Sequence, residues 1–124
     1  SFFNRHKEIE RLRKALDRRE PELIVIYGRR RCGKSTLIRE VLRPGDVYFL
    51  AQQTDSSLQR ARLADAISAI IPGFEKAVYP DWESLFINLR NAAKSSFTLC
   101  LDEFPWLVKS DPALPGVLQK MCDE

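Results

Sequence analysis

The sequence predicts an α/β fold, a three-layer sandwich with a mostly parallel sheet and helices on its faces. Apolar runs at residues 23–27, 47–51 and 97–101 have the length and composition of short buried strands. Segments with helical spacing of apolar residues lie between them, and strands that alternate with helices favour parallel pairing. The chain has 124 residues, 44% of them apolar and 30% charged, which fits one soluble globular domain over residues 1–124.

The first half of the chain predicts two helices and two strands. Apolar residues recur at helical spacing within the first 20 residues, and Pro21 ends that helix. Residues 23–27 form a strand that runs into Gly28, residues 34–42 form a helix, and residues 47–51 form the next strand. These last three elements make a βαβ unit.

The second half predicts two further helices and a third strand. Thr54, Asp55 and Ser56 are candidate N-caps for a helix that continues to Ile70. Another helix spans residues 82–94, and residues 97–101 form the third strand. We interpret residues 104–107 as core and turn material with Pro105 setting a loop, or as an exposed aromatic contact for a partner.

A phosphate-binding loop is predicted between the first strand and the second helix. Residues 28–36 read GRRRCGKST and match the pattern GxxxxGK[ST] in the strand-to-helix context that this motif requires. Glycines let successive backbone N–H groups point at phosphate oxygens, and the following helix adds its positive dipole end. The alternative is a tight turn with a solvated lysine. The predicted loop residues are Gly28, Arg29, Arg30, Arg31, Cys32, Gly33, Lys34, Ser35 and Thr36.

Three side chains of this loop have specific predicted roles. Lys34 places an ammonium group between the β- and γ-phosphates, Ser35 is a ligand of Mg²⁺, and Thr36 binds the α-phosphate. The arginines at 29, 30 and 31 form a solvated basic rim that steers nucleotide, or a contact for a partner subunit or nucleic acid. The net charge of +3 comes largely from arginines near this loop.

The third strand is followed by Asp102 and Glu103, which have the pattern of a Walker B element. At a strand end Asp102 can hold the Mg²⁺ shell, and Glu103 can polarise the water that attacks the γ-phosphate. Two carboxylates that merely end a strand at the surface are the alternative. A Ras-type GTPase would have DxxG here, so the sequence favours ATP over GTP.

The motifs together predict Mg²⁺-dependent binding and hydrolysis of ATP, with nucleotide state driving a conformational switch. Two other hypotheses remain: a small-molecule kinase that uses the same loop, and a nucleotide-binding interaction module without turnover. The apolar runs are far shorter than the roughly 20 residues of a membrane helix. We expect a cytoplasmic protein without a membrane span, and we interpret Cys32, Cys100 and Cys122 as reduced thiols.

The chain resembles the archaeal-type ATPases, within the broader AAA+ and STAND-like group of P-loop proteins. The resemblance lies in residues 3–5 with Glu8 and Leu12, in the loop and its preceding strand, in residues 101–107, and in residues 114–119. It implies that Arg5 lies near the adenine and that Gln52 or Gln53 senses the γ-phosphate. It also implies a possible homo-oligomer, and a DNA-binding or nuclease-like C-terminal part in a longer protein.

The resemblance further implies elements beyond those in this sequence. Members of the family continue with a strand that ends in a polar sensor residue and with a helical lid, so we expect a truncated domain that runs from the leading helix through Walker B. The sensor strand normally lies between the loop strand and the Asp102 strand. These residues alone would then leave a gap in the sheet, unless the sheet is rearranged or exchanges a strand with another chain.

Overall fold

A computed structural model of the chain describes residues 23–28 and 42–123. The predicted fold class is confirmed: the described residues form an α/β fold with a parallel sheet. In chain order the elements are β1 (Leu23–Gly28), β2 (Val47–Leu50), α1 (Ser56–Ile67), a 3₁₀-helix (Phe74–Lys76), α2 (Trp82–Ala92), β3 (Phe97–Asp102), α3 (Phe104–Ser110) and α4 (Leu114–Asp123). The helices predicted at residues 1–20 and, except for Leu42, at residues 34–42 lie outside the described residues.

The described sheet has three parallel strands in the order β1-β3-β2. β3 is central, and all six of its residues are buried. A strand buried on both faces reads as a continuous apolar run, which explains why the sequence Phe-Thr-Leu-Cys-Leu was recognisable as a strand. Leu23 pairs with Phe97 at one end of the β1–β3 ladder, and Gly28 pairs with Asp102 at the other.

The expected gap between the loop strand and the Asp102 strand is absent from the described sheet. β1 pairs directly with β3 over six residues, so the rearranged sheet is the alternative that the structure takes. The physical reason is that backbone N–H and C=O groups facing a gap would lack partners, at a cost of roughly 1 to 3 kcal/mol for each buried group. Direct pairing satisfies these groups.

The four described helices pack on one face of the sheet and form the main apolar core. Leu99 and Leu101 of β3 face this core and are fully buried. Burying a leucine or phenylalanine side chain stabilises a fold by about 1.5 to 3 kcal/mol, so this cluster supplies much of the driving force. The face of α2 that is buried in this core consists of Trp82, Leu85, Phe86 and Leu89.

The other face of the sheet carries the alternate residues of each strand. Ile26, Thr98 and Cys100 lie there and are buried, and Cys100 forms no disulfide. Asp102 lies on the same face because side chains alternate along a strand. No described helix is long and apolar enough to cross a membrane.

Capping and backbone conformation determine where α1 and α2 begin and end. Of the three candidate N-caps of α1, Asp55 is the one used: its carboxylate accepts a hydrogen bond from the Leu58 N–H at 2.8 Å. α1 ends at Ile67, earlier than the predicted Ile70, because residues 68–71 continue as turns stabilised by bonds to the last helical carbonyls. α2 ends at Ala92 because Ala93 is extended.

For residues 104–107 the predicted turn was wrong, and the predicted core position is right for Phe104 and Leu107 but not for the exposed Pro105. These residues begin α3. Pro105 lies in the first helical turn, where its missing N–H needs no partner and its fixed φ suits a helix. Phe104 and Leu107 are one helical turn apart, and both are buried against the sheet.

Candidate functional site

The carboxyl ends of the three described strands meet at one edge of the sheet. Gly28 ends β1, Leu50 ends β2, and both are register partners of Asp102 at the end of β3. Neighbouring strands lie about 4.8 Å apart, so the start of the predicted phosphate-binding loop is one strand spacing from the predicted metal ligand. Open α/β sheets bind their ligands outside the carboxyl ends of their strands. This edge is therefore the candidate site.

Asp102 is a buried carboxylate, with only 4% of its surface exposed. Its Oδ1 accepts a hydrogen bond from the Glu103 N–H at 2.9 Å, and its Oδ2 accepts one from the Tyr48 hydroxyl of the neighbouring strand. A buried charge is tolerated only when it is bonded or paired, and these contacts contribute to that stabilisation. A carboxylate has about four lone-pair positions and can therefore accept more than two contacts at once.

Glu103 makes the turn from β3 into α3 within a single residue. Its backbone is left-handed, with φ 57° and ψ 43°, and it is the only non-glycine residue with positive φ in the described part of the chain. For a residue with a Cβ this conformation costs roughly 1 to 2 kcal/mol. Strain of this kind concentrates at functional sites. Here it starts the helix directly after Asp102 and leaves Glu103 partly exposed.

Gln52, one of the two predicted phosphate sensors, is held by two side chains of α1. The fully buried Gln59 amide clasps the Gln52 backbone: its Oε1 accepts from the Gln52 N–H at 3.4 Å, and its Nε2 donates to the Gln52 carbonyl. The Arg62 guanidinium donates to the Gln52 side-chain carbonyl. Gln52, two residues after the end of β2, is thereby tied to α1.

Gln53, the other predicted sensor, is exposed and lines an open depression beside α3. The depression has a volume of about 210 Å³ and is also lined by Trp106 and Lys109, whose ammonium lies 5.6 Å from the indole centroid. The roles of Gln52 and Gln53 toward phosphate stay predictions.

Three of the predicted site residues are described: Gly28, Asp102 and Glu103. The structure brings them together at the edge defined above. The remainder lie outside the described residues, and their roles stay predictions. These are Arg5, Arg29, Arg30, Arg31, Cys32, Gly33, Lys34, Ser35 and Thr36.

Sequence reasoning missed two residues of this edge, Tyr48 and Gln59. The signal for Tyr48 was its place in the strand alternation, since Val47 and Phe49 are apolar core residues while Tyr48 lies on the opposite face with Asp102. Gln59 carried a weaker signal, a long polar residue between the apolar positions of a helix.

A magnesium ion fits the donor set of this edge. Mg²⁺ prefers hard oxygen ligands and is usually bound by one or two carboxylates together with phosphate oxygens and waters. Asp102 supplies one such carboxylate, already oriented by hydrogen bonds on both oxygens. Within residues 23–28 and 42–123, no three acidic, histidine or cysteine residues cluster as a metal site. Asp102 therefore suits an ion that arrives with phosphate better than an ion bound by the described side chains alone.

The chain is an α/β domain with an acidic strand end beside a glycine-terminated strand at the carboxyl edge of its parallel sheet. Residues 2–124 match the model of a family described as an ATPase domain predominantly from Archaea. The chain belongs to this family.

Two relatives from Methanocaldococcus jannaschii are similar to the chain. An uncharacterized protein is 35% identical over 123 residues, which cover 98% of this chain and 26% of that protein. An uncharacterized ATP-binding protein is 44% identical over 41 residues, which cover 33% of this chain and 70% of that protein. The chain thus spans about a quarter of the length of the first relative. No solved structure matches the chain significantly.

Proposed function

We propose that this domain binds Mg-ATP at the carboxyl edge of its sheet and hydrolyses it. The observation that carries the proposal is the pairing of Gly28 with Asp102, which starts the predicted loop and the acidic pair from neighbouring strand ends. Membership of an ATPase family and similarity to an ATP-binding protein support a nucleotide ligand.

In this proposal residues 28–36 surround the phosphates with backbone N–H groups. Lys34 binds the β- and γ-phosphates, Ser35 and Asp102 hold Mg²⁺, and Thr36 binds the α-phosphate. The loop arginines at 29–31 raise the local concentration of the anionic nucleotide. Arg5 lies near the adenine.

Glu103 is the proposed general base. It accepts a proton from a water molecule whose oxygen attacks the γ-phosphorus, while the bond to the β–γ bridging oxygen breaks. The products are ADP and phosphate. Magnesium, when bound with the nucleotide, would neutralise charge on the phosphate oxygens. The strained Glu103 backbone supports this role, because strain of this kind concentrates at functional sites.

Glu103→Gln tests the hydrolytic part of the proposal. The amide keeps the size of the side chain but cannot accept the proton, so we expect ATP to bind with undiminished affinity and its hydrolysis to fall by at least about 100-fold. Binding is measured with labelled ATP, and turnover by phosphate release. Unchanged turnover in the variant would remove Glu103 from the mechanism.

One further variant and two measurements on the wild-type protein separate this proposal from its rivals. Asp102→Ala should abolish the gain in ATP affinity that Mg²⁺ confers. Binding without turnover in the wild-type protein would favour a nucleotide-dependent interaction module, and phosphate transfer to a small molecule would favour a kinase. Nucleotide-driven switching, a homo-oligomer and a DNA-binding or nuclease-like part in a longer protein stay predictions.

A further inference from the structure

The Tyr48 hydroxyl donates a hydrogen bond to Oδ2 of Asp102, a residue 54 positions further along the chain. The register explains the contact. Tyr48 pairs with Cys100, and Leu50 pairs with Asp102, so Tyr48 lies two residues before the level of Asp102 on the adjacent strand. Side chains of paired residues in neighbouring strands share a face, and a phenol is long enough to reach along that face to the carboxylate.

The two oxygens of Asp102 thus accept hydrogen bonds from two different parts of the chain. The Glu103 N–H fixes Oδ1 from the chain that follows β3, and the Tyr48 hydroxyl fixes Oδ2 from β2. One bond alone would leave the carboxylate free to rotate about its last torsion angle. Two bonds, one to each oxygen, set the plane of the group.

The exposures of Tyr48 and Asp102 indicate that their hydrogen bond has a role besides packing. Asp102 is 4% exposed, whereas Tyr48 is 45% exposed and belongs to the few large apolar or aromatic side chains that the described residues leave at the surface. The Tyr48 ring is thus only partly buried, while its hydroxyl donates to a buried carboxylate that needs hydrogen-bond donors.

We infer that Tyr48 is a positioning residue for the magnesium ion that accompanies the nucleotide, acting through Asp102. The inference rests on the proposed function, because it needs Asp102 to belong to the metal shell. Hydrogen-bond partners of metal-binding carboxylates tune metal affinity, and their loss typically costs 10- to 100-fold. Tyr48 itself touches neither metal nor nucleotide in this account.

The test compares ATP affinity in Mg²⁺ with ATP affinity in EDTA, using a fluorescent ATP analogue and the ratio of the two as the readout. We expect Tyr48→Phe to lower this ratio by about 10- to 100-fold while the affinity in EDTA stays unchanged. The ring is kept, so packing is preserved. The ratio also cancels any general loss of folded protein.

Tyr79→Phe is the matched control. Tyr79 is a buried tyrosine of the segment before α2, and its hydroxyl donates to the Phe74 carbonyl at 2.8 Å. This variant also loses one tyrosine hydrogen bond, but away from Asp102. We expect it to lower the unfolding temperature and to leave the Mg²⁺ ratio unchanged. If Tyr48 had only a structural role, Tyr48→Phe would likewise lower the unfolding temperature and leave the Mg²⁺ ratio unchanged.

A double-mutant cycle completes the test. In an Asp102→Asn background, Tyr48→Phe should change the ratio no further, because Tyr48 acts only through the carboxylate. A wild-type ratio near one would contradict both the proposed metal site and this inference. A large wild-type ratio that Tyr48→Phe leaves unchanged would overturn the inference alone, and the proposed function would stand.

Discussion

The left-handed backbone at Glu103 predicts that glycine at this position stabilises the protein relative to alanine. A residue with a Cβ loses roughly 1 to 2 kcal/mol at φ 57°, and glycine escapes this cost. Glycine has an opposing effect as well: its greater freedom in the unfolded chain lowers the free energy of unfolding by about 0.4 to 1 kcal/mol. The difference leaves Glu103→Gly more stable than Glu103→Ala by about 0.5 to 1 kcal/mol, or a few degrees in unfolding temperature.

The comparison of Glu103→Gly with Glu103→Ala isolates the effect of backbone strain on the free energy of unfolding. Both variants remove the carboxylate, so both should lose turnover, and only the strain differs between them. Urea unfolding followed by circular dichroism gives the free energies, provided that the slopes agree. Glu103→Asn should fall between the two, since asparagine tolerates the left-handed region better than alanine does.

Lys109 offers a matched control on the same helix. It is exposed and lies in the last turn of α3, where glycine instead of alanine should destabilise by about 0.5 to 1 kcal/mol. The sign of the Gly-for-Ala effect should therefore reverse between the two positions. If Glu103→Gly is no more stable than Glu103→Ala, the strand-to-helix turn is not strained and the reasoning fails.

Two further predictions concern α1 and the segment that follows it. Gln59→Leu removes the clasp on the Gln52 backbone and should cost about 1 to 3 kcal/mol in urea unfolding, whereas Gln53→Leu should change stability by less than about 0.5 kcal/mol. Equal effects would contradict the clasp. Burial, and secondarily the charge of Glu75, raise the pKa of Tyr79 above its usual value. In the unfolded chain this tyrosine ionises near pH 10. Below about pH 10 the phenol is protonated in both states and its contribution to the free energy of unfolding is constant; this contribution is lost as pH rises through the folded-state pKa. Tyr79→Phe should make unfolding free energies fall less steeply above pH 10, and an unaltered slope would exclude this group as the cause.

The strands were predictable because their signal is local. Residues 97–101 form an apolar run of strand length, and full burial of β3 follows directly from such a run. The helix signals were also local: Asp55 and Asp81 both act as N-caps, each accepting a hydrogen bond from a backbone N–H of its helix. These features depend on neighbouring residues alone.

The order of the strands and the contacts between them were not predictable in this way. Direct pairing of β1 with β3 depends on long-range hydrogen bonding, which no local pattern encodes. The Tyr48 contact with Asp102 joins residues 54 positions apart and follows from that register. α3 was missed because a short segment with proline and bulky aromatic residues carries little helical periodicity.

Part of the candidate site was predictable because the residues proposed to bind phosphate and magnesium lie next to apolar strands in the sequence. Asp102 and Glu103 follow a buried strand, and Gly28 ends another, and the structure brings these strand ends to one edge. The geometry of Glu103 was not predictable, since glutamate rarely adopts positive φ.

The central claim, that this edge binds Mg-ATP through the predicted loop, is tested most directly by thermal unfolding with and without Mg-ATP. Ligand at about 100 times its dissociation constant stabilises a protein by roughly 2.7 kcal/mol, which raises the unfolding temperature by several degrees. We expect this rise in the wild-type protein and its loss in Lys34→Ala. An unfolding transition that Mg-ATP leaves unmoved in the wild-type protein, or moves equally in Lys34→Ala, would contradict the account.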